Sequence, residues 1–76
     1  MEHLVEIIAK NLVSDPDSVS VQKIEEDDRD VIILHTAPED AGRVIGKGGK
    51  LAKAIRVLAQ AAASDKTREV RVRIDD

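Results

Sequence analysis

The stretch Arg43-Val44-Ile45-Gly46-Lys47-Gly48-Gly49-Lys50 holds the residue types that could do chemistry. Three glycines in four positions leave a loop without β-carbons to hold a ligand away from the backbone. Glycine also reaches positive φ angles, which let successive N–H groups aim the same way. A helix expected to begin near Lys50 would present its free first-turn amides and the positive end of its dipole at the same spot. Lys47 and Lys50 add mobile positive charge. These parts suit the binding of phosphate, and of a sugar-phosphate backbone in particular.

Other glycine motifs fit less well. A nucleotide-binding phosphate loop needs four residues between its first Gly and Gly-Lys, followed by Ser or Thr. Here three residues separate Gly42 from Gly46, and Gly48 follows Lys47 where the metal-binding hydroxyl would stand. A dinucleotide fingerprint would need a glycine at Leu51 and a strand before the loop. His3 and His35 have no companion ligands or nucleophile, the serines and threonines lack any triad context, and the acids follow no calcium-loop pattern. No metal, cofactor or active site is expected, so the chain reads as a binder and not as an enzyme.

The charge map points to the same loop. Residues 1–40 carry eleven acids and three bases, a local charge of −8, within a chain of net charge −3. Residues 41–64 carry Arg43, Lys47, Lys50, Lys53 and Arg56 and no acid, while residues 65–76 carry four of each sign. One basic island on an acidic body draws a polyanion to one place and repels it elsewhere. There is no cysteine, hence no disulfide or thiol chemistry, and no apolar run long enough to cross a bilayer. The acids in Met1-Glu2-His3-Leu4-Val5-Glu6 do not suit a signal peptide, and the expected compartment is the cytoplasm.

The elements that must position the loop can be read from periodicity. Leu4, Val5, Ile8 and Leu12 predict a helix over 2–13, stopped at Ser14-Asp15-Pro16-Asp17. Val19 and Val21 predict a half-buried strand, and Ile24, out of phase, predicts a bulge near Lys23. Val31 to Thr36 predicts a strand apolar on both faces, joined to the first by an acidic turn from Glu25 to Asp30. Thr36-Ala37-Pro38-Glu39 has capping-box spacing ahead of a short helix that Gly46 ends. In the next helix Leu51, Ile55, Leu58, Ala59 and Ala62 form one stripe, with Lys53, Arg56 and Gln60 elsewhere. Val70, Val72 and Ile74 alternate with Glu69, Arg71 and Arg73 in a last strand. The fold class is α+β, a single domain over 1–76 with the order α-β-β-α-α-β. A three-stranded sheet with three helices on one face would bury every stripe. With no Phe, Trp or Tyr, its core must be built from nine Val, eight Ile, five Leu and alanine.

Ile45-Gly46-Lys47-Gly48-Gly49-Lys50, followed by Ile55, resembles the K-homology (KH) signature, in which an I-G-x-x-G loop joins two helices and clamps single-stranded backbone. The element order matches the bacterial type II version, and a free-standing KH domain of this length resembles the small bacterial KhpA family. A departure is Ala52, where many KH domains carry a larger aliphatic. The resemblance implies that Gly46, Lys47, Gly48 and Gly49 approach RNA phosphates, while Arg43, Lys50, Lys53 and Arg56 steer and pair with flanking ones. Bases would lie in an aliphatic groove between the helix pair and the second strand, with Ile45 and one face of Val31 to Thr36 as lining. The acids Glu25 to Asp28 would border that groove and shorten the footprint, or form a solvated turn. The expected role is a post-transcriptional regulator or RNA chaperone acting with a partner. The resemblance also implies homodimers and pairing with a larger KH-containing protein of the KhpB type. The alternative is a protein-interaction module with little direct RNA binding, encouraged by the two-faced strand and the small side chains of Ala59, Ala61, Ala62 and Ala63.

Overall fold

The computed structural model describes residues 1–75. Helix α1 spans Glu2–Leu12, strand β1 Ser20–Glu25, strand β2 Arg29–His35, helix α2 Ala41–Ile45, helix α3 Lys50–Ala62 and strand β3 Glu69–Asp75. Single 3-10 turns at Pro16–Ser18, Pro38–Asp40 and Lys47–Gly49 join them. The order is the one periodicity predicts. Strands β1 and β2 form an antiparallel hairpin, whereas α2 and α3 carry the chain back over the sheet so that β3 runs parallel to β2. The sheet order is β1-β2-β3, which leaves β2 central and β3 at an edge.

The core is aliphatic throughout. Val5 and Ala9 of α1, Ile32 and Leu34 of β2, Val44 of α2, Ile55 and Ala59 of α3, and Val70 of β3 meet in one cluster. Apolar burial of this kind is the main favourable contribution to folding. Successive strand residues face opposite sides, so Val31, Ile33, Arg71 and Arg73 lie on the face away from this core.

Several local expectations are corrected. Residues Ser20 to Glu25 pair one-to-one with His35 to Asp30, so there is no bulge near Lys23. Ile24 simply alternates onto the open face, where it is 39% exposed. The acidic connection shrinks to Glu26, Asp27 and Asp28, because pairing extends to Glu25 and Arg29. The capping box does not form: the Thr36 hydroxyl donates to the Ala37 carbonyl at 3.0 Å, and a 3-10 turn without a side-chain cap follows. The apolar stripe expected on α3 splits in two. Ile55 and Ala59 enter the core, while Leu51, Leu58 and Ala62 are exposed. A helix turns 100° per residue, and α1, α2 and the sheet cover only the sector holding Ala52, Ile55 and Ala59.

Candidate nucleic-acid interface

Helix α2 ends at Gly46, whose φ of 75° and ψ of 173° turn the chain out of the helix. A β-carbon there would lie 2.8 Å from Leu51 Cγ and 3.0 Å from the Leu51 amide nitrogen, so Gly46 is required by space as well as by backbone angle. Gly48 and Gly49 also hold positive φ, at 66° and 78°, but a β-carbon on either meets nothing within 4 Å. The two ends of the loop thus differ. Gly46 lets Leu51 pack close, whereas Gly48 leaves an open apex.

The amides of this turn are divided between structure and solvent. Gly49 N–H donates to the Gly46 carbonyl at 3.2 Å, and Lys50 N–H to the Lys47 carbonyl. Among the described residues the Lys47 and Gly48 amides find no backbone acceptor. Gly49 caps α3 without a side chain, and no acid stands in the first turn of the helix. That leaves the positive end of a 13-residue helix uncompensated beside the loop.

The cations around the loop are free to serve a ligand. Lys47, Lys50, Lys53 and Arg56 are exposed, and none has a carboxylate within ion-pair distance among the described residues. Lys53 and Arg56 precede Gln60 by seven and four residues, which places all three on one side of α3. Gln60 fixes where that side points: its amide donates to the Arg68 carbonyl at 2.8 Å and accepts the Val70 N–H at 2.8 Å. The basic side of α3 therefore looks onto the outer edge of β3. Ile45, 39% exposed, stands at the start of the same turn.

Arg43 is held differently. Its Nε lies 3.3 Å from Oδ1 of Asp40, a carboxylate with no exposed surface. Asp40 accepts from the Ser14 amide at 3.0 Å, the Ser14 hydroxyl at 2.9 Å and the Asp15 amide at 3.1 Å. The Ser14 amide above all, then the Ser14 hydroxyl, the Asp15 amide and Arg43, hold the Asp40 carboxyl below the usual aspartate value against the opposing effect of burial. Asp40 thereby ties the end of α1 to the beginning of α2. Sequence reasoning passed over Asp40 in favour of Glu39, and no local signal marks a bond to residues 25 and 26 positions away.

Two expectations about the groove change. Central strand β2 cannot line it, because Ile32 and Leu34 are fully buried and Val31 and Ile33 face the opposite side. The strand beside α3 is β3, which presents Val72 and Ile74 half-buried on the helix side. The acidic hairpin tip lies at the other end of α3, around a cavity of about 550 Å³ lined by Met1, Asp27, Ser64 and Arg68 among others. A 13-residue helix is ~20 Å long, so these acids sit a helix length from the loop. Arg68 braces the tip by donating to the Asp30 carboxylate at 3.1 Å and to the carbonyls of Glu26, Asp27 and Arg29.

A glycine loop between two helices, above a sheet with β3 parallel to β2, is the arrangement of a KH domain. The family described as KhpA/KhpB, KH domain, matches residues 2–74. The chain belongs to that family. Among curated relatives, the RNA-binding protein KhpA of Clostridium perfringens is 46% identical over 74 residues, covering 97% of this chain and 99% of the relative. That of Caldanaerobacter subterraneus is 49% identical over the same length. The KhpA of Halalkalibacterium halodurans is 45% identical over all 76 residues and covers both chains completely. No solved structure matches the chain. As a KH domain it is an α+β fold with a three-stranded mixed sheet and three helices. No described helix is long and apolar enough to cross a membrane.

Proposed function

We propose that this KH domain binds single-stranded RNA by its sugar-phosphate backbone at Gly46, Lys47, Gly48 and Gly49. The observation that carries the reading is the open loop apex beside an uncapped, acid-free helix N-terminus. Lys47 and Lys50 neutralise phosphates at the loop, Lys53 and Arg56 continue the basic path along α3, and Arg43 contributes from its tether on Asp40. Bases lie between α3 and the outer edge of β3, with Ile45, Val72 and Ile74 as aliphatic lining. The relatives named RNA-binding protein KhpA support the same reading. A domain without aromatic platforms reads little sequence, which fits a post-transcriptional regulator or RNA chaperone in the cytoplasm.

The test is the double variant Lys47→Asp, Gly48→Asp. It removes one positive charge and adds two negative charges at the apex, where a side chain at Gly48 meets nothing. Circular dichroism is expected to show an intact fold while RNA retention on a filter is lost. Unchanged retention would sink the loop reading.

A second reading, compatible with the first, is association with another KH-containing chain. On α3 Leu51 is 37% exposed, Val57 57% and Leu58 47%, with Ala54 and Ala61 exposed between them. An aliphatic strip on a helix is better covered than left in water. A homodimer, or a pair with a larger KH protein of the KhpB type, would bring two weak RNA sites onto one strand and raise avidity.

A further inference from the structure

Among the described residues strand β3 has an outer edge that pairs with no strand, and it carries Arg71 and Arg73 on the face opposite the helices. The Val70 N–H turns outward to Gln60, and backbone groups alternate along a strand, so Val72 and Ile74 also turn theirs outward. On the helix side of that edge stand Lys53 and Arg56. On the open face stand Arg71 and Arg73, both exposed and about 7 Å apart along the strand. Cations thus continue from α3 across the β3 edge to Arg71 and Arg73 on the back of the sheet, where Glu69 and Asp75 flank them on the same face.

The arginines of this region are not equivalent. Arg68 spends its donors on the hairpin tip, and Arg29 lies among Glu26, Asp28 and Glu69. Arg71 lies 2.8 Å from Glu69 Oε1 yet keeps 55% of its side chain exposed. Arg73 has no carboxylate within ion-pair distance among the described residues. A shallow concavity of about 420 Å³ is lined by Arg71, Arg73 and Arg29, with Val31, Val72 and one acid, Glu26, which pairs with Arg29 at 3.8 Å.

We infer that Arg71 and Arg73 form a second phosphate-binding site, which receives RNA leaving the groove and carries it round the β3 edge onto the open sheet face. The inference rests on the proposed RNA binding at the loop. An acidic protein partner fits less well, because the apolar surface of the face is small: Val31 is 7% exposed, Ile33 beside Arg73 is half-buried, and exposed Ile24 belongs to β1, two strands from β3. The site therefore lengthens the footprint without changing the contacts at the loop.

The experiment compares Arg71→Gln, Arg73→Gln with the unaltered protein on oligouridines of about four and about twelve nucleotides, the shorter matching what a KH loop clamps. The variant is expected to bind the short RNA unchanged and the long one several-fold more weakly. Its salt slope on the long RNA should be shallower by ~1.4, from two lost contacts at ~0.7 each. Photocrosslinking from the end of the long oligomer is expected to label the peptide bearing Arg71 and Arg73. Equal weakening at both lengths, or no weakening at either, would overturn the inference, as would crosslinks confined to the loop. Loss of binding to an oligoglutamate peptide with RNA affinity intact would overturn it in favour of a protein partner. Failure of the unaltered protein to bind either RNA, by contrast, overturns the loop reading itself.

Discussion

Gly46 and Asp40 show how much of the site rests on single residues. A methyl group at Gly46 would strike Leu51 and force L-residue backbone into a positive φ. Gly46→Ala is therefore expected to cost about 1–3 kcal/mol in urea unfolding, the usual size of stored backbone strain. The same change at Gly48 meets open space and should cost less. Asp40 acts through charge. Its folded value lies below 3.8, so ionised Asp40 contributes stability that is complete above about pH 5 and is lost as pH falls through the depressed value. Asp40→Asn should lower the thermal midpoint at pH 7, and the gap from the unaltered protein should narrow as the pH falls below the usual aspartate range. A gap independent of pH would show that the carboxylate charge plays no part.

At the scale of elements, α3 serves three surfaces. Ile55 and Ala59 hold it in the core, Lys53 and Arg56 face the β3 edge beside Gln60, and Leu51 and Leu58 remain exposed. Leu58→Lys tests the third surface without touching the other two. If the strip is an interface, sedimentation should show the dimer dissociation constant rising tenfold or more while the monomer keeps its helicity. The period of α3 was legible in the sequence, but its apolar residues span two sides of the helix. Only the placement of α1, α2 and the sheet decides which side is buried, and Leu58, read as core, falls outside it. The hairpin shows the converse. Ile24 suggested a bulge by its phase, yet simple alternation places it on the open face in continuous register.

Over the whole molecule, charge is segregated. Free cations gather on the loop and α3, while the acids of the hairpin tip are braced by Arg29 and Arg68 at the other end of α3. A polyanion approaching this field is steered to the loop, and binding should weaken with salt. With about three phosphate contacts at the loop, the slope of log affinity against log salt for a short RNA should be near −2, at ~0.7 per contact. Titration by fluorescence anisotropy over a range of potassium chloride measures it. A slope near zero would mean that the basic island does not carry binding.

The sequence by itself determined the glycine loop, the basic island centred on it and the order of the six elements. Each of these is a local property: a φ preference, a charge count, a period of 3.6 or 2. Only the tertiary structure decided that β3, and not β2, borders the basic side of α3, because strand order is set by pairing between residues some 40 positions apart. The Asp40 clamp and the Arg68 brace, which join residues 25 to 42 positions apart, were hidden for the same reason. So was the path past Arg71 and Arg73. In the sequence they alternate with apolar residues like the outward positions of any strand, and only the β3 edge beside Lys53 and Arg56 sets them next to the proposed RNA path.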